Sequence, residues 1–273
     1  DRNFNYLGSL LITSLLTEEP EQMVEKFISN DFSKPVSAET DESEVALLFE
    51  QRNLISAPVI DEDNQLVGRI TIDDVVDVIR DQAEHSVMSM VGLDEDEDVF
   101  APIIHSSKKR SVWLGVNLIT ALIAVYFIGL FEATLQQKIA LAILMPVVAS
   151  MGGIAGTQTL IIVTRGIATG KVTTANIKAL INKEVAVSGL NGIIWSLVIG
   201  LITYYWFSDL LLSLIIALAI ITNLIVAAFS GAFLPLLLSK LRIDPALAGG
   251  VILTTITDVI GFVAFLGLAA LFI

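Results

Sequence analysis

The chain has no cysteine and only two histidines, His85 and His105, among 273 residues. Disulfides, zinc–thiolate sites and iron–sulfur clusters are therefore excluded, and so is a multi-histidine metal centre within one chain. Charge is sparse at 16%, and cations are sparser still: 16 Lys and Arg against 29 Asp and Glu. Residues 1–105 hold 24 acidic and 6 basic residues, a net charge of −18, while residues 106–273 hold 5 acidic and 10 basic residues, a net charge of +5. The overall pI of 4.5 describes neither part. The acidic part has no basic stretch, so nucleic acid is not an expected partner. There is no nucleophile–base pair or nucleotide-hydrolysis motif, so no enzymatic reaction is expected. The chain opens at Asp1 with no Met and no signal-peptide pattern, which reads as a fragment of something longer.

What is abundant is apolar surface, with 54% hydrophobic residues and a mean hydropathy of +0.76. That is too much for an ordinary soluble domain. Five apolar stretches follow Lys108-Lys109-Arg110, at about Trp113–Phe131, Ile139–Thr164, Val185–Phe207, Leu210–Ser239 and Ala246–Ile273. Each is long enough to cross a hydrocarbon core of roughly 30 Å at about 1.5 Å per residue. The loops set the orientation. Lys108, Lys109, Arg110, Arg165, Lys171, Lys178, Lys183, Lys240 and Arg242 fall on one side, and only Lys138 falls on the other, beside Glu132 and Asp209. The positive-inside rule then puts the acidic part in the cytoplasm and the C-terminus outside. With an odd number of crossings and no internal repeat, a symmetric pore would come from two chains.

Asp258 is the polar residue that matters most. It lies 12 residues in from Ala246, about 18 Å at helical rise and near the midplane. A carboxylate there costs on the order of 3 kcal/mol on insertion scales, and no span offers a basic residue deep enough to neutralise it. Thr254 and Thr255, four and three residues earlier, share its face, as does Gly261. Two accounts fit: a cation site in a watery path, which is favoured, or a protonated Asp bonded to a neighbouring helix. The second span, Met145-Pro-Val-Val-Ala-Ser-Met-Gly-Gly-Ile-Ala-Gly-Thr-Gln158, combines a helix-breaking proline with Gly152, Gly153 and Gly156. It suits either a broken, pore-lining helix or tight small-residue packing, and a pore is favoured beside Asp258. Oxygen ligands of this kind suit hard cations. With one carboxylate per chain, a hydrated Mg²⁺ held by two Asp258 side chains is easier than a bare ion. Further oxygens could come from Asn117, Asn191 or Asn223, each equally well interhelical glue. Asp244, before Pro245, is either a helix cap or a residue of the cytoplasmic mouth. Glu184 is either a mouth residue or a partner of Lys183 or Lys178.

In the acidic part, Ser43–Arg52 has helical periodicity, and Ala57–Ile60 turns into Asn64–Gly68 as a hairpin. Thr71 and Asp74 have capping-box spacing at the start of a helix running toward Ser86. Asp94-Glu-Asp-Glu-Asp98 reads as a solvated linker or, less favoured, a divalent-ion attractor.

The order of these motifs resembles the MgtE family of magnesium channels, in which tandem CBS domains precede five transmembrane helices. The resemblance rests on Ala57-Pro-Val-Ile60 with Gly68-Arg-Ile-Thr-Ile-Asp-Asp-Val-Val-Asp-Val-Ile79, and on Pro146 with Met151–Gln158. It continues through Asn191-Gly192, Gly231–Pro235, and Asp244-Pro-Ala-Leu-Ala248 to Asp258. It implies a multi-domain chain: an all-α five-helix transmembrane domain preceded by a cytoplasmic α/β CBS domain from a partial tandem pair. The implied division is a first-repeat remnant at 1–31 (Leu7–Leu11 its closing strand), a CBS repeat at 32–91, an acidic linker and connecting helix at 92–112 and the channel domain at 113–273. It further implies a homodimer in the lipid bilayer of the plasma (inner) membrane, with Mg²⁺ as both substrate and regulator. The pore aspartate falls on Asp258, the pore lining on Gly152, Gly153, Gln158, Thr254 and Thr255, and the mouth aspartate on Asp244. CBS pairs of this type often take adenine nucleotide, so ATP at Thr71 and Asp74 is implied too. Ile154 stands where the family commonly has Asn, and His85 and Ser86 replace two acids. Closure by cytosolic Mg²⁺ should then be weaker, or use Asp77 and the run Asp94–Asp98 instead. The expected function is a Mg²⁺ channel gated by its cytoplasmic domain. A carrier driven by Na⁺ or H⁺ and a non-conducting regulator are the alternatives.

Overall fold

A computed structural model describes residues 1–273 except 1–4, 11, 18, 20, 29–33, 94–99 and 174, and of Ser86 only the backbone. It divides into two compact units, at 1–85 and 86–273.

The N-terminal unit begins with α1 (Ile12–Thr17) and a 3-10 turn at Val24–Phe27, followed by β1 (Val36–Ser37), α2 (Glu42–Arg52), β2 (Ser56–Ile60), β3 (Leu66–Thr71) and most of α3 (Ile72–Ser89). β1 pairs parallel with β2, and β2 antiparallel with β3, with a bulge at Val59/Ile60. The hairpin turn is shaped by Asp61, whose Oδ1 accepts from the backbone N–H of Asp63 (3.0 Å) and of Gln65 (2.8 Å). Asp41 caps α2 by accepting from the Ser43 N–H at 2.9 Å, and Asn53 closes it in the left-handed region at φ 50°. Val36, Val45, Ala46, Phe49, Ala57 and Val75 form the core beneath the sheet. Leu7–Leu10 is not a strand of this sheet. The contact there is an isolated bridge between Asn5 and Gln65, with the Tyr6 N–H donating to the Asn64 carbonyl (3.0 Å).

The second unit contains α4 (Ile103–Gly129), the short α5 (Glu132–Gln137), α6 (Ile139–Ala168), α7 (Ile177–Phe207), α8 (Leu210–Lys240) and α9 (Pro245–Phe272). All but α5 are long and apolar enough to cross a membrane. Two begin earlier than hydropathy suggests: α4 at Ile103 rather than Trp113, and α7 at Ile177 rather than Val185. Their opening turns carry Lys108, Lys109 and Arg110 in α4 and Lys178 and Lys183 in α7, residues that favour helix but not hydrocarbon, so each helix outruns its apolar stretch. α8 is the central post. α6, α7 and α9 pack against it, about half of its apolar stretch is buried, and α4 touches mainly α9. The core joins Leu141, Leu144 and Val148 of α6 to Leu212, Ile216, Ile220 and Leu224 of α8 and Phe265, Leu266 and Ala269 of α9.

α6 runs unbroken through Pro146. The proline removes a single donor, and the bonds on either side carry the helix across. The glycines serve close approach instead of a break. A Cβ on Gly152 would stand 2.3 Å from Asn223 Nδ2, and one on Gly231 of α8 would stand 2.6 Å from the Gly156 carbonyl oxygen.

Candidate functional site

α9 starts with Asp244 as its cap, the carboxylate accepting from the Ala246 N–H at 2.8 Å, and with Pro245 in the first turn. Both features favour a sharp helix start. The capping geometry expected of Asp244 is therefore present.

Asp258 sits midway along α9 and is half-buried. Its carboxylate makes no hydrogen bond or ion pair among the described residues. The neighbouring hydroxyls are oriented by the backbone. Thr254 Oγ1 donates to the Gly250 carbonyl (2.9 Å) and Thr255 Oγ1 to the Val251 carbonyl (2.8 Å). With their hydrogens committed, both oxygens present lone pairs outward, so this part of α9 offers acceptors and no donor. Such a face suits a cation or its water shell. Thr254 also lines a crevice of about 200 Å³ between α4, α6 and α9, together with Asn117, Trp113, Thr157 and Gly250.

The α6 candidates separate. Gly152 is buried against Asn223, which makes it a packing residue on the α8 side. Gly153 is half-buried with open space where a Cβ would stand, and Gln158 is exposed. Adjacent helical residues point about 100° apart, so one α6 face cannot use Gly152 and Gly153 alike. Asn223 is glue: wholly buried, it donates from Nδ2 to the Val148 carbonyl at 2.8 Å, while its Oδ1 has no partner. Gly152 and Gly261 leave room for it from two sides. Asn117 donates to the Trp113 carbonyl within α4. Glu184, 5% exposed, lies 3.4 Å from Lys183 Nζ. At the other end of the bundle, Lys138 pairs with Asp209, which also caps α8 through the Leu212 N–H. That amide first, and Lys138 second, hold the Asp209 carboxyl below the usual range.

In the N-terminal unit, Asp74 Oδ2 accepts from both the backbone N–H (3.0 Å) and the hydroxyl (2.9 Å) of Thr71. This is half of the reciprocal capping box, because the Thr hydroxyl donates to Asp74 rather than accepting from the helix. The Thr71 amide first, then its hydroxyl, keep the Asp74 carboxyl below its ordinary value. A groove of about 640 Å³ opens elsewhere in this unit, among Tyr6, Ser9, Arg52, Asn53, Ser56 and Arg69, and does not include Thr71 or Asp74. Asp77 lies on α3. Asp94 falls outside the described residues. Among the described residues no three His, Cys, Asp or Glu side chains gather as a metal cluster.

The sequence signal missed two contacts because it carries no information on packing partners. The Trp113 ring of α4 rests on Gly92, where an added Cβ would stand 2.1 Å from it, and Gly92 has φ +70°. The Met90 carbonyl lies 3.7 Å from the Cβ position of Gly250 on α9. The turn after α3 therefore touches α4 and α9 close to the crevice.

Residues 145–268, which contain Asp244, Asp258 and the whole Gly152–Gln158 run, match the family described as a divalent cation transporter. Residues 24–81 match the CBS domain. The chain is 33% identical over 269 residues to the magnesium transporter MgtE of Bacillus subtilis, covering 98% of this chain and 59% of the relative. It is 30% identical over 267 residues to that of Thermus thermophilus, covering 97% and 59%. With that of Enterococcus faecalis the identity is 27% over 272 residues, covering 100% and 60%. The chain thus spans about 60% of the length of these curated relatives. A CBS domain followed by a five-helix divalent cation transporter region defines a class of multi-pass membrane protein. The chain carries the divalent cation transporter domain of the MgtE family behind a CBS domain, and its curated relatives are named magnesium transporters MgtE.

Proposed function

We propose that the chain is a Mg²⁺ channel of the plasma membrane, working as a homodimer with a pore along the two-fold between α6 and α9 of each protomer. One observation carries this reading: a half-buried carboxylate, Asp258, midway along an apolar helix with no protein partner among the described residues. An intramembrane charge without a counter-charge is stable only where water or a cation reaches it. The names of the relatives support Mg²⁺ as the cargo. A single carboxylate deep in the spans of each chain favours a hydrated ion, attracted by Asp258 from both protomers and stabilised by Thr254 and Thr255 oxygens. Gly153, with open space where a Cβ would stand, is the α6 residue assigned to the lining, and Gly152 supports it by packing; Gln158, five residues on and about 140° round the helix, faces elsewhere. Asp244 stands at the cytoplasmic mouth.

The N-terminal unit is the sensor. Asp77, with the acidic run from Asp94, is the assigned Mg²⁺ sensor: bound Mg²⁺ favours closure, and free carboxylates repel one another and favour opening. ATP at the CBS domain is part of the same proposal, with Thr71 and Asp74 as its ribose contacts. The domain plan stays that of 32–91, 92–112 and 113–273, with the N-terminus cytoplasmic and the C-terminus outside.

The test is Mg²⁺ flux in vesicles reconstituted with the full-length protein. Currents that reverse at the Mg²⁺ equilibrium potential, and that collapse in Asp258→Asn, are expected. Strict dependence on a Na⁺ or proton gradient would make the protein a carrier, and no flux at all would leave only a regulatory role.

A further inference from the structure

The loop joining α6 to α7 encloses a groove of about 570 Å³, lined by Arg165, Lys171 and Lys183 together with Ile162, Leu180 and Asn176. Lys183 reaches the Glu184 carboxylate at 3.4 Å. Arg165 and Lys171 reach no carboxylate among the described residues. Cations gathered this closely repel one another unless an anion lies among them.

The groove is built by its own hydrogen bonds. Asn176 clamps the loop from both ends of its amide: Nδ2 donates to the Lys171 carbonyl (2.8 Å) and Oδ1 accepts from the Thr173 N–H (2.9 Å). The Val172 N–H donates to the Gly166 carbonyl at 2.9 Å, and a Val172 methyl lies 2.5 Å from where a Cβ on Gly166 would stand. Lys171 is therefore held by backbone geometry and not by an ionic partner. Ile162, near the end of one membrane helix, and Leu180, near the start of the next, supply an apolar wall directly beside the charges.

Phosphate above and hydrocarbon below is the chemistry of a lipid at the membrane interface, and basic pockets between transmembrane helices recognise anionic headgroups. We propose that this groove binds the phosphate of an anionic phospholipid. Arg165 supplies paired N–H donors and Lys171 a point charge, while Ile162 and Leu180 receive the start of an acyl chain. The proposal rests on α6 and α7 crossing the bilayer, and is independent of Asp258 and of Mg²⁺ conduction.

The experiment is thermal unfolding of the purified full-length protein in neutral detergent with added phosphatidylglycerol, phosphatidylcholine or inorganic phosphate. Phosphatidylglycerol should raise the midpoint by about 3–5 °C, phosphatidylcholine by less than half as much, and phosphate alone not at all. R165Q/K171Q should lose the shift and R165K/K171R should keep it. K240Q/R242Q, which removes basic charge outside the groove, should keep it as well. Equal stabilisation by phosphatidylcholine, the full shift from inorganic phosphate, or loss in K240Q/R242Q would overturn the proposal. If R165Q/K171Q does not fold, native mass spectrometry of the wild type decides, and no preference for phosphatidylglycerol over phosphatidylcholine overturns it. Asp258→Asn should leave the lipid shift intact whatever it does to uptake, so lipid binding and conduction fail separately.

Discussion

α8 and α9 are two long apolar helices, each carrying one strongly polar residue well inside its span, and they treat that residue in opposite ways. Asn223 of α8 is wholly buried and tied to the Val148 carbonyl of α6, and glycines on both neighbouring helices make room for it. Asp258 of α9 is half-buried and tied to nothing among the described residues. A neutral amide can donate to a helix backbone and so ties two helices together, as Asn223 ties α8 to α6. A carboxylate accepts only, and the backbone donors nearby are spent within the helices, so it needs something from outside the protomer. In the proposed reading the partner, and not the polarity, separates the structural residue from the working one.

The largest expected effect tests the working side of this contrast. Asp258→Asn keeps the volume and removes the charge. Mg²⁺ uptake in reconstituted vesicles should fall roughly ten- to a hundredfold, the scale of electrostatic focusing by a charged low-dielectric path. The unfolding temperature should change little, because no protein contact is lost. A large drop in thermal stability with uptake preserved would show that Asp258 is structural like Asn223, and the contrast would be gone.

The next effect is on the structural side. Gly152→Ala drives a methyl into the Asn223 amide, whereas Gly153→Ala meets nothing within 4 Å. The first should destabilise by about 1–3 kcal/mol, read as a lowered unfolding midpoint in detergent. The second should be neutral in stability and act, if at all, on flux. Equal melting of the two variants would mean that the α6–α8 junction around Asn223 is not tight.

A smaller change is expected from Asp244→Asn. Asparagine caps a helix about as well as aspartate, so α9 should start where it does now. The charge at the proposed mouth would be lost, and the Mg²⁺ concentration that half-closes the channel should rise several-fold, on the order of 1 kcal/mol of coupling. An unchanged closing concentration in the flux assay removes Asp244 from gating.

Much of this was legible in the residues themselves. Five spans, the hairpin from Ala57 to Gly68, the cap at Asp244 and the isolation of Asp258 from basic residues are all properties of sequence order and hydropathy. The early starts of α4 and α7 were hidden because a helix extends past its apolar stretch wherever Lys and Arg allow it. The separation of Gly152 from Gly153 was hidden for another reason. Small residues signal close approach without saying which neighbour approaches, and that neighbour, Asn223, is 71 residues further along the chain. Membership of the basic groove was invisible likewise, since Arg165, Lys171 and Lys183 read individually as cations of one side, and only the fold sets them around one groove, with Asn176 clamping the loop at Lys171.

The smallest effect contrasts the two aspartates that meet or lack a donor in different settings. Asp74 accepts two hydrogen bonds from Thr71, which hold its carboxyl below the ordinary 3.8. A group whose folded pKa is lowered contributes stability above its unfolded value and loses it as pH falls through the folded value. The Thr71–Asp74 contribution is therefore complete at neutral pH, begins to fade below about pH 4, and is gone once the folded carboxyl protonates. Thr71→Ala removes only the hydroxyl donor, since the backbone donor remains. Acid unfolding of the full-length protein, followed by circular dichroism, should show the variant losing the smaller part of this pH-dependent increment while melting slightly earlier at pH 7. If the variant's stability at pH 7 matches the wild type, the hydroxyl adds nothing to the start of α3, and Thr71 is left to the nucleotide that the proposal assigns it.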